Sequence, residues 1–404
     1  MFLNPAANSA VGHSLASDSH HLPLGVSVST NLPRSAAAPD GGVSFGRRCA
    51  TEAVRQIYSD SALFARGDPD MCVAFWTLDD PEFALILCAN RDEFLVRPAH
   101  PAALHTAFAA AAADAKVDVL SGRDVQAGGT WLGLAPAIGR AALLTNITEI
   151  PPSPPPPKSR GALVPAFLGA ATAPVPLEEV FPPDPQYAGF NLLVLQASRE
   201  EGEGGGIRFD ASLVSNGGAG GRIAARTLRR DERVVGGLSN GLHVDVNAGE
   251  QWPKVALGRA MFQEVVAAAG WREAFSASAS SGEAHGTQDS EDDPEMRLAE
   301  KLFALLRTPP EEPPQAREDL RKAICVPPLG LPTGRGYYAT RTATVLLVRR
   351  DGRAVFVERD VWRVKTGEPG ADMQGEGEVA PELNEGTGEG GQRVFRVRVE
   401  VPAA

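Results

Sequence analysis

The chain has 404 residues, 43% of them apolar, and a formal net charge of −11. No run approaches the roughly 18 apolar residues a bilayer crossing needs. The acidic balance supplies no cluster of Lys and Arg for nucleic acid. The imbalance is local: residues 283–293 hold five acids and residues 367–392 seven, with no Lys or Arg in either stretch. The remainder is close to neutral.

Four cysteines, at 49, 72, 88 and 325, are widely spaced and form no Cys-x-x-Cys pair, which points to a reducing compartment and away from a disulfide framework. The seven histidines show no zinc-ligand spacing, so no metal is expected.

In chain order, residues 1–70 read as a leader rich in Ser, Ala, Gly and Pro, with Arg but no Lys. Three origins stay open: a targeting presequence, a disordered tail, or sequence upstream of a start at Met71. From 71 the texture changes. Residues 72–78 and 83–89 are apolar runs separated by Asp79-Asp80-Pro81, a β-hairpin signal. A second pair covers 130–135 and 139–145 with Pro136 in the turn, followed by a Pro-rich connection at 151–157. A short helix is expected over 160–171 and strands over 190–196 and 207–214. Helical spacing marks 253–269 through Val255, Leu257, Met261, Phe262, Val265 and Val266, with Pro253 in the first turn. A second helix is expected near 295–307, then strands at 338–349, 353–358 and 393–401. Segments near 150–158, 276–293 and 365–392 read as disordered insertions. Strands in pairs, with no βαβ rhythm, predict an α+β domain over 71–404 built on antiparallel sheets packed face to face.

Chemistry concentrates at Cys72. A thiol that becomes a chain terminus has its own base, the freed α-amine; the plain alternative is a buried cysteine. The string Asn90-Arg91-Asp92-Glu93 is expected to close the second strand, placing Arg91 and Asp92 at a sheet end near the sulfur. Its plain reading is a charged, solvent-facing turn. Gly128-Gly129 lead into a strand and not a helix, which speaks against phosphate binding and for a bend or bulge before Trp131, itself read as core. Gly237-Leu238-Ser239-Asn240-Gly241 lacks the Gly-x-Ser-x-Gly form; Asn240 is a turn residue or an oxyanion donor. Arg341 is a rim residue or a second pocket cation. Cys88 is read as core, and His243 as a remote candidate for an axial ligand.

Several blocks in order carry a resemblance. Met71-Cys72, Asn90-Arg91-Asp92-Glu93-Phe94 with Arg97-Pro98, Ser121-Gly122-Arg123-Asp124 and Gly128-Gly129-Thr130-Trp131-Leu132-Gly133 are four of them. Leu144-Thr145-Asn146, Gly189-Phe190-Asn191-Leu192, Gly237-Leu238-Ser239-Asn240 and Arg341-Thr342 complete the set. Together they resemble the Transport and Golgi organisation protein 2 family, named also for its Asn-Arg-Asp-Glu motif. The resemblance implies a four-layer αββα sandwich of two antiparallel sheets, similar to N-terminal-nucleophile hydrolases of the choloylglycine type. It matches Cys72, Arg91, Asp92, Asn146, Asn240 and Arg341 to such a site. It implies roles in Golgi organisation and protein secretion, in lipid and mitochondrial metabolism and in haem movement, with no established reaction.

Three functions follow as expectations. The first is a cytoplasmic carrier, with Golgi or mitochondrial association, of an anionic amphiphile such as haem or an acyl-CoA-like molecule; no cofactor is required and haem enters only as cargo. The second is an N-terminal-cysteine amidohydrolase with Cys72 as nucleophile. The third is a partner of secretory-pathway proteins that uses the acidic insertions as tethers.

Overall fold

The computed structural model describes residues 71–106, 117–149, 155–170, 175–183, 187–200, 205–242, 251–268, 271, 293–315, 317–331, 335–364, 380–384 and 391–402. All belong to one compact unit, Glu52–Ala404. The predicted leader and His243 lie outside the described residues, as do most of the three predicted insertions.

The first nine strands are β1 (Val73–Thr77), β2 (Phe83–Phe94), β3 (Ala99–His105), β4 (Val119–Asp124), β5 (Leu132–Ala135), β6 (Arg140–Asn146), β7 (Phe190–Arg199), β8 (Ile207–Ser215) and β9 (Ala224–Thr227). The others are β10 (Gly236–Leu238), β11 (Leu329–Gly330), β12 (Tyr337–Arg349), β13 (Arg353–Asp360), β14 (Trp362–Val364), β15 (Pro381–Leu383) and β16 (Gln392–Arg398). The helices are α1 (Leu163–Leu168), α2 (Leu177–Val180), α3 (Arg230–Val234), α4 (Pro253–Ala267) and α5 (Pro294–Leu306).

Among the described residues two seven-stranded antiparallel sheets form. One runs β10-β1-β2-β12-β13-β16, with β11 on the end of β12, and the other runs β3 to β9 in chain order. The predicted hairpin at 72–89 is present. Asp80 Oδ1 accepts from the amides of Glu82 (2.9 Å) and Phe83 (3.0 Å) and so closes its turn. Pro136 opens a 3₁₀ turn, and Gly139 leaves it at φ 61°, a left-handed value that glycine adopts without strain.

Strand alternation sorts the apolar residues. Val73, Phe75, Ile86 and Cys88 join Val255 and Phe262 of α4 and Leu298, Leu302 and Phe303 of α5 in one cluster. Ala74, Trp76, Leu85 and Leu87 turn the other way and meet Leu134, Leu143, Leu193 and Leu213 of the second sheet. A third cluster packs Leu192, Val194 and Val214 of that sheet on Leu163, Val164, Phe167 and Leu168. Each such side chain, fully buried, stabilises the fold by about 1.5–3 kcal/mol. The architecture is mixed α and β, two large antiparallel sheets with helices packed on them. Cys88 is core, as expected.

Two sequence expectations are corrected. The strand expected over 83–89 runs on to Phe94, so Asn90–Glu93 closes β2 as paired strand and not as a solvent-facing turn; β12 pairs alongside, Tyr338 opposite Phe94. In α4 the inward residues are Lys254, Val255, Gly258 and Phe262, while Leu257 is 49% exposed. Of the expected apolar residues Val255, Met261, Phe262, Val265 and Val266 do pack on the core; the spacing left out the buried Lys254 and Gly258.

Candidate functional site

The register of β1 against β2 pairs Val73 with Asn90, so one step further Cys72 stands opposite Arg91. Alternation then splits the motif between two faces. Asn90 and Asp92 fall on the helix side with Cys88; Arg91 and Glu93 fall on the side facing the second sheet with Ala89.

Asn90 is structural. Its Nδ2 donates to the carbonyls of Leu306 (2.8 Å) and Ile324 (2.9 Å), which ties the end of α5 to the sheet. Asp92 Oδ1 accepts from Thr340 Oγ1 at 2.5 Å, while Oδ2 has no protein partner. Burial raises Asp92 to about 6, against the opposing pull of Lys254, Thr340 and Arg91. Lys254, fully buried, donates from Nζ to the carbonyl of Met71. Burial lowers it to about 8, while the charges of Asp92 and Cys72 work to keep it protonated.

Arg91 is 5% exposed, and its guanidinium lies 4.1 Å from the centroid of the Trp131 ring. Such a stack adds cation–π attraction and holds the fork in one orientation. Nη2 is 3.5 Å from Glu93 and 3.9 Å from Asp124; Nη1 is buried without a protein partner. The ring reaches this position because residue 122 is glycine: a Cβ there would lie 2.5 Å from Trp131. Gly129 passes against the backbone of Gly161, and Thr130 N donates to Gly161 O at 3.1 Å. The expected bend is a turn: Asp124 Oδ1 accepts from Gln126 and Ala127, and Gly128 has φ 74°.

A cavity of about 150 Å³ opens here, lined by Cys72, Arg91, Asp92, Glu93, Arg97, Asp124, Thr130, Trp131, Leu144, Asn146, Ser159, Arg160, Gly161 and Tyr338. Cys72 is partly exposed and not in a disulfide. Of the six predicted site residues, Cys72, Arg91, Asp92 and Asn146 therefore share one wall. Asn240 does not line it. It is fully buried and donates from Nδ2 to the carbonyl of Asn146 at 2.6 Å; its Oδ1 lies 3.2 Å from the Ser239 hydroxyl, which donates to Cys72 O at 2.7 Å. The Ser239–Asn240 pair thus straps the start of β1 to the end of β6.

Arg341 is displaced for a different reason. Thr340 faces Asp92 and Thr342 faces Arg91, so Arg341 is the extra residue of a β-bulge, an insertion that re-aims a side chain. It lines a neighbouring cavity of about 320 Å³, with Arg91 and Trp131 as shared wall. Trp131, expected in the core, packs on the inter-sheet cluster with one part and walls both cavities with the rest.

Sequence reasoning did not name Arg97, Asp124, Arg160, Lys254, Thr340 or Tyr338 as site residues. Lys254 carried one usable signal, a cation at an inward helical position four residues before Gly258; Thr340 and Tyr338 carried none.

The family model described as Transport and Golgi organisation 2 matches residues 71–363. A Transport and Golgi organization protein 2 homolog from Bos taurus is 30% identical over 314 residues, covering 72% of this chain and 93% of its own. The Homo sapiens homolog is 28% identical over 312 residues with the same coverage, and the Mus musculus one 28% over 305. Their names carry the Golgi-organisation assignment that the ordered blocks from Met71 to Thr342 implied. The chain belongs to the Transport and Golgi organisation 2 family.

Proposed function

We propose that this protein serves Golgi organisation and protein secretion as a carrier that grips the polar end of an anionic amphiphile in the Cys72 cavity. One observation carries the reading: the cavity gathers Arg91, Arg97 and Arg160 with Lys254 behind them, against Glu93, Asp124 and an Asp92 that burial raises to about 6. Three arginines face three carboxylates, one of them partly neutral, with the buried Lys254 cation behind; that balance favours an anionic group. About 150 Å³ is well below the roughly 300–1,000 Å³ of sites that engulf a drug-sized ligand. The cavity therefore holds a head group, such as a haem propionate or the polar end of an acyl-CoA-like molecule, with the body outside. No helix among the described residues is long and apolar enough to cross a membrane. The site of action in this reading is cytoplasmic, with Golgi or mitochondrial association.

The test is titration of the purified chain with haem, a long-chain acyl-CoA and a fatty acid, each repeated on Arg91→Met. Saturable binding that weakens about tenfold or more in the variant supports the carrier. Binding of none, or equal binding by both proteins, overturns it.

A second reading has its own observation. Lys254 holds the carbonyl of the Met71–Cys72 bond, and the sulfur's cavity contains Arg91, Asp92 and Asn146. Freed at its amine, Cys72 would attack an amide carbonyl as in the N-terminal-nucleophile hydrolases, whose layered sandwich the packing clusters resemble. This amidohydrolase needs a chain that starts at Cys72. Mass spectrometry of the N terminus together with acyl-amide hydrolysis decides it; hydrolysis by a protein still carrying Met71 excludes the amine as base.

A further inference from the structure

We infer that the second cavity, which shares the Arg91–Trp131 stack with the first, is a separate binding site for a small oxyanion, the carboxylate or phosphate group of a soluble compound. Its volume is about 320 Å³. Donors on its lining residues that are buried without a protein partner include Arg91 Nη1, Thr342 Oγ1 and Arg393 Nε. Buried donors are answered in the great majority of cases, so such a group on one set of walls asks for an acceptor-rich ligand.

Charge points the same way. Arg91, Arg341, Arg363 and Arg393 line the cavity against Glu358 and Asp360. Asp360 is already held by both Nη atoms of Arg393, at 2.7 and 3.0 Å. Glu358 Oε1 accepts from the Ala102 amide at 2.7 Å and lies 3.1 Å from Arg393. Burial also raises Glu358, which shrinks its repulsion toward a bound anion.

The sheet supplies the geometry. Arg91 and Thr342 are register partners and emerge on the same face, with side-chain bases about 5 Å apart, within reach of two oxygens of one group. The bulge adds Arg341 beside them without breaking that pairing. Thr342, Arg341, Glu358 and Arg393 do not line the Cys72 cavity, so a loss in Thr342→Val that Cys72→Ser does not share separates this site from the carrier and hydrolase readings, with Arg91 and Trp131 common to both.

Tryptophan fluorescence of the full-length protein, titrated with inorganic phosphate and separately with succinate, tests the proposal and tells the two sources apart. We expect a saturable change with one of them. Thr342→Val, which keeps the shape and removes the donor, should weaken it about tenfold at an unchanged melting temperature. A second measurement needs no variant: the same anion should slow modification of Arg341 by a dicarbonyl reagent, read by peptide mass spectrometry. The inference is overturned if neither anion saturates up to about 10 mM, if Thr342→Val binds as tightly as wild type, or if the loss appears instead in Cys72→Ser. Should Thr342→Val fail to fold, unprotected labelling of Arg341 overturns it alone.

Discussion

The two cavities on either side of the motif are built from the same stack and have opposite electrostatic habits. Around Cys72 the charges are largely satisfied by one another: Arg97 lies 2.8 Å from Asp124, Glu93 bridges Arg91 and Arg97, and Asp92 is coupled to Lys254. In the neighbouring cavity guanidiniums exceed carboxylates, and donors go unanswered by the protein. The first is a preorganised nest whose charges pair mostly with one another and leave a small cationic excess while Asp92 holds its proton; the second is a surplus of donors. The difference teaches that one side chain can serve two sites: Arg91, Asp92 and Glu93 all line the first cavity, and Arg91 alone also reaches the second.

Removing Lys254 should break the first cavity hardest. Lys254→Met strips the cation from buried Asp92 and leaves the Met71 carbonyl unanswered, a loss of about 3–5 kcal/mol in urea denaturation. Combined with Asp92→Asn, the loss should fall short of the sum of the single changes, a coupling that a double-mutant cycle reads directly. Additive losses would mean that the two groups do not act as a pair.

Gly122→Ala should affect both cavities at once. The new methyl meets the Trp131 ring, and displacing that ring releases Arg91. Overpacking of this kind costs about 1–3 kcal/mol, and anion titrations at both sites should weaken together. If only one weakens, the stack is not their common wall.

Next in size is a pH effect confined to the first cavity. Asp92 rises from 3.8 unfolded to about 6 folded, so the folded state holds its proton longer. Its contribution to stability therefore declines as pH climbs through that interval. Lys254 falls from 10.5 to about 8, and its contribution improves as pH rises from about 8 to 10.5. Melting curves of wild type and Asp92→Asn should show the wild type losing ground to the variant between pH 4 and pH 6. A wild type that gains ground there would mean a carboxylate stabilised as the anion.

Cys72→Ser is the mildest change for the fold. The sulfur sits on a cavity wall, not within an apolar cluster, so stability should shift by less than about 1 kcal/mol while thiol alkylation of the site disappears. A loss of several kcal/mol would assign Cys72 to the core.

Much of this organisation was legible beforehand where a local rule sufficed. The hairpin at 72–89 follows from two apolar runs and an Asp-Asp-Pro break, and Cys72 opposite Arg91 follows from its register. Pro253 and Pro294 both open helices at permitted positions. Arg341 was not legible, since a bulge is decided by which strand pairs alongside, not by the residue. Asn240, read as a turn residue or an oxyanion donor, holds the carbonyl of Asn146, a contact 94 residues away that no spacing announces. Trp131 was read as core because indoles usually are; the glycine opposite it decides that the ring also serves as wall.

Sequence alone determined the kinship, the mixed α and β composition and the placing of Cys72, Arg91, Asp92 and Asn146 at one site, because periodicity, turn chemistry and ordered motifs are written locally. Tertiary structure decided the division of labour. Only when β12 laid its bulge against β2, and α4 drove Lys254 beneath the start of β1, did Arg91 come to stand between two cavities, since facing and burial are properties of paired strands and not of a string.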